Sequence, residues 1–142
     1  MKVTKEQAAV TQLCDAIELF KKQRYISAIT LAAASEEVLA QLLKQYAEKS
    51  GTPYFTAEEL ETGMFDMFKD FLGIRNYRAY RNKIKNELKH HGEEGNKDVL
   101  TGDFRQVALN HISGAIQNYK MANNQLPSEQ VINDFCIEIG IS

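Results

Sequence analysis

From Arg24 to Ser50 the chain carries Tyr25, Ala28, Ile29, Leu31, Ala32, Ser35, Val38, Leu39, Leu42, Leu43 and Tyr46 at three- and four-residue spacings. No proline or glycine interrupts them, and Gly51 follows. A repeat of that period over so many residues is an amphipathic helix, and a glycine just past its end fits the left-handed C-terminal cap. Within it, SAITLAAAS (27 to 35) puts small side chains on most faces. A backbone so lightly clothed approaches its neighbours closely, which favours tight packing at the centre of a helical bundle over a cofactor groove.

The flanking segments repeat the pattern. Thr4 with Gln7 has the spacing of a capping box, and Val10, Leu13, Cys14, Ile17 and Phe20 then line one face of a first helix from about 4 to 22. Thr56 with Glu59 repeats the box ahead of Leu60, Met64, Phe65, Met67, Phe68, Phe71 and Leu72, a short apolar third helix. Beyond Gly73, the positions Ile74, Tyr77, Tyr80, Arg81, Ile84 and Leu88 define a fourth helix ending near His91, with Gly92 behind it. Thr101 or Asp103 caps a fifth, carrying Val107, Leu109, Ile112, Ile116 and Tyr119. VINDFCIEIGI, after Pro127, reads as a last short helix, with a strand as the alternative because of its β-branched content. The expected fold is all-α: an antiparallel bundle of four main helices with one or two short extra ones, forming a single domain over residues 1–142.

Composition restricts the class further. Charged residues at 25% and hydrophobic ones at 44% of 142 residues are globular values, sufficient for a core without disulfides or metals. The N-terminus has no signal-peptide stretch, and the longest nearly apolar run falls short of the ~20 residues of a membrane span. A cytoplasmic protein without membrane association is expected, with Cys14 and Cys136 as buried small hydrophobes rather than a disulfide.

Net charge is −2, yet Arg75 to His91 contains six basic residues against the single acid Glu87, a local +5 on a body of −7. Such asymmetry marks either a polyanion-binding face or a solvated lysine-rich helix. Asn82, Asn86 and His90 follow at i, i+4, i+8 as a polar line, with Lys85 and Lys89 beside it. On the second helix Glu36 and Glu37 interrupt apolar sequence, so one of them must lie toward the core flank with a partner. Lys85, Lys89, Asn86 and His90 are the candidates. Metal binding at HHGEE is disfavoured, because adjacent histidines diverge on a helix and Gly92 separates His90 from Glu94, even if His111 contributed. Neither a metal nor another cofactor is expected. Lys89, His90, His91 and Gly92 have a simpler explanation as a helix end whose positive charge suits the backbone dipole.

Taken in order, YISAITLAAASEEVL, KNELKHH and VALNHISGAIQNY resemble small helical proteins of the HEPN superfamily. The resemblance implies a helical bundle that dimerises through its motif-bearing helices. In active members an arginine, four to six intervening residues and a histidine cleave RNA without metal through the 2′-hydroxyl. Lys85, Asn86 and His90 match that frame and would be the catalytic group, His90 as general acid or base. Arg81, Asn82 and Lys89 would bind substrate phosphate, and Glu36 or Glu37 would orient the basic group. The departure is Lys85, a point charge where a planar bidentate arginine belongs. Two functions are therefore expected in competition. One is an RNA-associated homodimer with degenerate or weak ribonuclease activity; the other is a non-catalytic module that binds a protein partner or a nucleotide.

Overall fold

The structure, a computed structural model, describes residues 1–68, 73, 76–89 and 99–140. Among these residues it is all-α, with six helices and no strand: α1 (Lys5–Lys21), α2 (Tyr25–Ser50), α3 (Ala57–Met67), α4 (Tyr77–Lys89), α5 (Phe104–Asn123) and α6 (Gln130–Ile139).

The helix ends follow the expected chemistry. Thr4 and Gln7 form a full capping box at α1, Thr56 Oγ1 accepts the Glu59 amide at α3, and Asp103 rather than Thr101 caps α5. Gly51 ends α2 with φ 66°, where a side chain is strained and glycine is not. The last segment is helical because Ile132, Phe135 and Cys136, spaced i, i+3, i+4, all go into the core. Alternation, which a strand would need, is absent from that buried set.

Helix α2 is the central element and packs mainly against α5 and α1. Tyr46, late in α2, reaches Glu6, early in α1, so these two helices run antiparallel as their short connection requires. Arg105, early in α5, lies over Phe20 at the end of α1, and Phe20 in turn meets Tyr25 at the start of α2. Helices α2 and α5 consequently run in the same direction, which the long crossover between them permits. The core contains Leu13, Ile17, Ile29, Leu39, Ile112, Ile116, Ile132 and Phe135, each essentially inaccessible. At about 1.5–3 kcal/mol per fully buried side chain, this cluster is the main source of stability.

The small residues of α2 do what their size suggests. Ala28, Ala32, Ala33 and Ser35 are buried, and the Ser35 hydroxyl donates to the Ala9 carbonyl of α1 at 2.7 Å. By length and composition α2 also passes as a membrane-spanning helix, but its buried face packs on α1 and α5 as that of a core helix does. Cys14 and Cys136 are free, and burial pushes both thiols above their ordinary pKa.

Helices α3 and α4 form a second layer. Phe65 and Tyr77 stack with ring centroids 3.9 Å apart, while α3 also touches α5 and α4 touches α2. This layer brings α4 over the middle of α2, where Glu36 and Glu37 lie.

Candidate functional site

Glu36 and Glu37 are neighbours with opposite environments. Glu36 is 4% exposed and points into the space between α2, α4 and α5, whereas the Glu37 carboxylate is half exposed. Successive helical positions differ by about 100°, so one of an adjacent pair must leave the interface the other enters.

The partner Glu36 finds is Arg81. The guanidinium makes a two-pronged bridge, Nη1 to Oε1 at 2.9 Å and Nη2 to Oε2 at 2.5 Å, and its Nε donates to Glu61 of α3 at 2.7 Å. His111 of α5 completes the group, with Nδ1 2.9 Å from Glu36 Oε1. A carboxylate only accepts, so His111 carries its proton on Nδ1 in this arrangement. Its 3.5 Å approach to Arg81 Nη1 is then a meeting of two donors, not a bond. Asn118 donates to the Glu36 carbonyl at 3.3 Å and accepts the Ala57 amide at 2.8 Å, tying α5 to α2 and to the start of α3.

Burial alone would raise the Glu36 carboxyl; hydrogen bonds and charge from His111 and Arg81 outweigh it and hold the group below the ordinary carboxylate value. Burial would likewise favour neutral Arg81, but Glu36 and Glu61 raise its pKa and keep it charged. Tyr77, whose hydroxyl donates to Glu61 at 3.0 Å, is pushed well above its usual range by burial and by that carboxylate.

Space for this group exists because position 114 is glycine. A Cβ there would lie 1.7 Å from Glu36 Oε2 and 2.8 Å from Arg81 Nη2. His111, Gly114 and Asn118, at i, i+3, i+7, thus form one polar and small face on an otherwise apolar helix. His111 Nε2, Asn82 Oδ1 and Thr62 Oγ1 are the described buried side-chain atoms without a hydrogen-bond partner.

The residues expected to bind substrate are divided by this packing. Arg81 is not on a phosphate-facing surface: it is 3% exposed and engaged by two carboxylates, because α3 and α2 cover that side of α4. Asn82 is likewise turned inward, donating to Glu58 at 3.1 Å and to the Arg78 carbonyl at 2.9 Å. The polar line therefore breaks after its first member, since Asn86 is exposed and His90 lies outside the described residues. His91, Gly92 and Glu94, the rest of the helix-end and metal expectations, also lie outside them. Glu36 supports Arg81 and His111 rather than Lys85, and Glu37 takes the role expected of the pair, with Lys85 at 3.0 Å and Lys89 at 3.4 Å. Burial opposes ionisation of Glu37, but the two lysines lower its pKa.

Every cation of α4 thus faces a carboxylate of the same chain: Arg78 meets Glu58, Arg81 meets Glu36 and Glu61, Lys83 meets Glu87, and Lys85 and Lys89 meet Glu37. A small cleft of about 190 Å³ beside Glu36 is bordered by Glu37, Glu58, Thr56, Gln41 and Asn118, and the cations nearest to it are those already paired with its carboxylates. Among the described residues no group of three or more histidine, cysteine or acidic side chains is placed to hold a metal.

Sequence reasoning missed His111, Gly114 and Asn118 as partners of Glu36. The available signal was their shared helical face opposite the one acidic interruption of α2. No protein-family model, curated protein or solved structure matches the chain.

Proposed function

We propose that this chain is a non-catalytic, HEPN-like interaction module, a helical scaffold that recognises another macromolecule through its surface. The observation that carries this reading is the internal neutralisation of α4. A phosphate clamp needs cationic donors free to turn toward the ligand, and Arg81, the one described arginine of α4 that is fully buried, is committed to Glu36 and Glu61. With Lys85 in the motif's arginine position and bound to Glu37, two of its requirements are unmet. The resemblance further supports a homodimer formed through the helices that bear the motif.

A second reading, an RNA-associated protein with weak metal-independent ribonuclease activity, is favoured by one feature. Asn86 is exposed beside Lys85, and a pair such as Lys85–Glu37, half exposed on the acid's side, is worth about 1 kcal/mol or less, which an incoming phosphate can replace. Incubation with mixed RNA in EDTA, comparing the wild type with His90→Ala, separates the two. Absence of cleavage, or equal traces in both, agrees with the interaction module. Cleavage by the wild type that His90→Ala abolishes overturns it.

A further inference from the structure

Among the described residues, helix α3 has one face closed by α4 and another that lies open. On the closed face Glu58 and Glu61 bind Arg78 and Arg81 of α4 while Phe65 stacks on Tyr77. That face receives a basic amphipathic helix through glutamates set beside an aromatic ring.

The open face repeats the same chemistry. Leu60, Met64, Met67 and Phe68 follow at i, i+4, i+7, i+8 and are all exposed, Met67 to 79%. They form an apolar stripe about 12 Å long at the rise of a helix. Along one edge lie Glu59 and Asp66, both exposed, neither in an ion pair among the described residues. Between stripe and acids sits Gly63, at which an added Cβ would meet nothing within 4 Å, so a partner backbone has room to come close. At its N-terminal end the stripe runs into a cavity of about 540 Å³ between the end of α2, residues 52–55 and α5, to which Leu60 is common. That volume accepts a single bulky anchor side chain of a docked segment.

We infer that the open face of α3 docks a basic amphipathic helix of a partner protein, its apolar side on Leu60, Met64, Met67 and Phe68 and its lysines or arginines on Glu59 and Asp66. The charge selects this occupant. An anionic membrane surface is repelled by the same two acids, and membrane-lying helices carry basic residues at that edge. The unbranched thioethers of Met64 and Met67 adapt to differently shaped apolar side chains, as suits a helix-in-groove contact. The inference rests on the interaction-module reading and gives it a surface and a class of partner.

The test uses the full chain and a fluorescein-labelled synthetic peptide of about 18 residues, leucine on one helical face and lysine on the other, with its leucine/glutamate counterpart as comparison. Anisotropy titrations are expected to show binding of the lysine peptide at least about tenfold tighter than of the glutamate peptide. The exposed pair Glu59→Lys/Asp66→Lys and the pair Met64→Ser/Met67→Ser should each weaken it about tenfold or more, with helix content and thermal midpoint preserved. Glu18→Lys/Glu48→Lys makes the same charge change on exposed acids elsewhere and should alter it less than about twofold. Equal loss in the two charge-reversed variants, or equal affinity for both peptides, overturns the inference. So does a Met64→Ser/Met67→Ser variant that turns a dimer into a monomer in sedimentation without changing peptide affinity, because a second copy then occupies the stripe. The EDTA cleavage assay on the same preparations keeps the two levels separate: cleavage lost in His90→Ala removes the interaction-module reading, while absent peptide binding without cleavage removes the α3 surface alone.

Discussion

Helices α2 and α5 are joined mostly by apolar burial around small residues, whereas α4 is joined to them largely by charge. The first contact uses Ile29, Leu39, Ile112 and Ile116, fully buried with no polar atoms to satisfy. The second uses Arg81 of α4 with Glu36 and His111, the same guanidinium being held by Glu61 of α3, and Ile84 is the buried aliphatic side chain of α4. An apolar contact loosens gradually as atoms are removed, but a buried ion pair fails when either member is lost, since the survivor is an uncompensated charge. The α4 attachment is therefore specific and brittle, and the α2–α5 attachment robust.

The largest expected effect comes from breaking the brittle contact. Arg81→Met leaves Glu36 and Glu61 without their cation and should lower the unfolding free energy by about 3–5 kcal/mol, read from urea midpoints. Gly114→Ala should cost a similar amount, because its Cβ would overlap the Glu36 carboxylate and displace the pair. In both variants amide exchange should rise first in α4 and last in the core of α2 and α5. Uniform acceleration across all helices would mean that the two layers are one cooperative unit.

Acid sharpens the same contrast. The Glu36 pKa is lowered in the folded chain, so its contribution is complete above the unfolded carboxylate value of about 4.3 and is lost as pH falls through the lower folded value. The stability difference between wild type and Glu36→Gln should accordingly shrink as pH falls below about 4. A difference that persists unchanged to pH 2 would show that Glu36 is not held as a carboxylate.

The core responds less steeply to a comparable truncation. Ile112→Val should cost about 0.5–1.5 kcal/mol, with no selective rise in α4 exchange and no dependence on salt or on mild acid. A loss above about 3 kcal/mol would place the centre of the molecule's rigidity in α5 rather than at Arg81.

These two contacts also differ in how well sequence reveals them. Apolar periodicity is local, so the first helix, the Gly51 stop, the Thr4–Gln7 capping box, the Thr56 cap and the fifth helix are legible from neighbouring residues. The α4 contact is not local. Arg81 is one cation among six between Arg75 and His91, and its partner Glu36 is 45 residues away, with His111 a further 30 residues beyond Arg81. A basic run looks like a surface whether or not carboxylates are folded onto it. Adjacency of Glu36 and Glu37 does predict that one turns inward, but choosing which requires the position of α5 and the vacancy left by Gly114.

The smallest effect bears most directly on function. Lys85 and Lys89 both meet Glu37, and Lys89→Ala, at the half-exposed lysine, should cost less than about 1 kcal/mol, a loss that largely vanishes near 1 M salt. Glu37→Gln is the complementary change: it costs equally little stability but releases both lysines and adds one positive charge to the α4 surface. If that surface binds RNA, with Asn86 exposed next to it, Glu37→Gln should raise affinity for a mixed RNA oligomer and steepen its decline with salt, because additional phosphate contacts release additional counterions. If the chain is an interaction module working through α3, RNA affinity stays at the weak, nonspecific level of the wild type, and binding of the lysine peptide is unchanged because Glu37 is not among the acids of that face. A pair of lysines that gains no affinity for phosphate on release is a structural strut, and the basic run of the sequence then serves to hold α4 against α2.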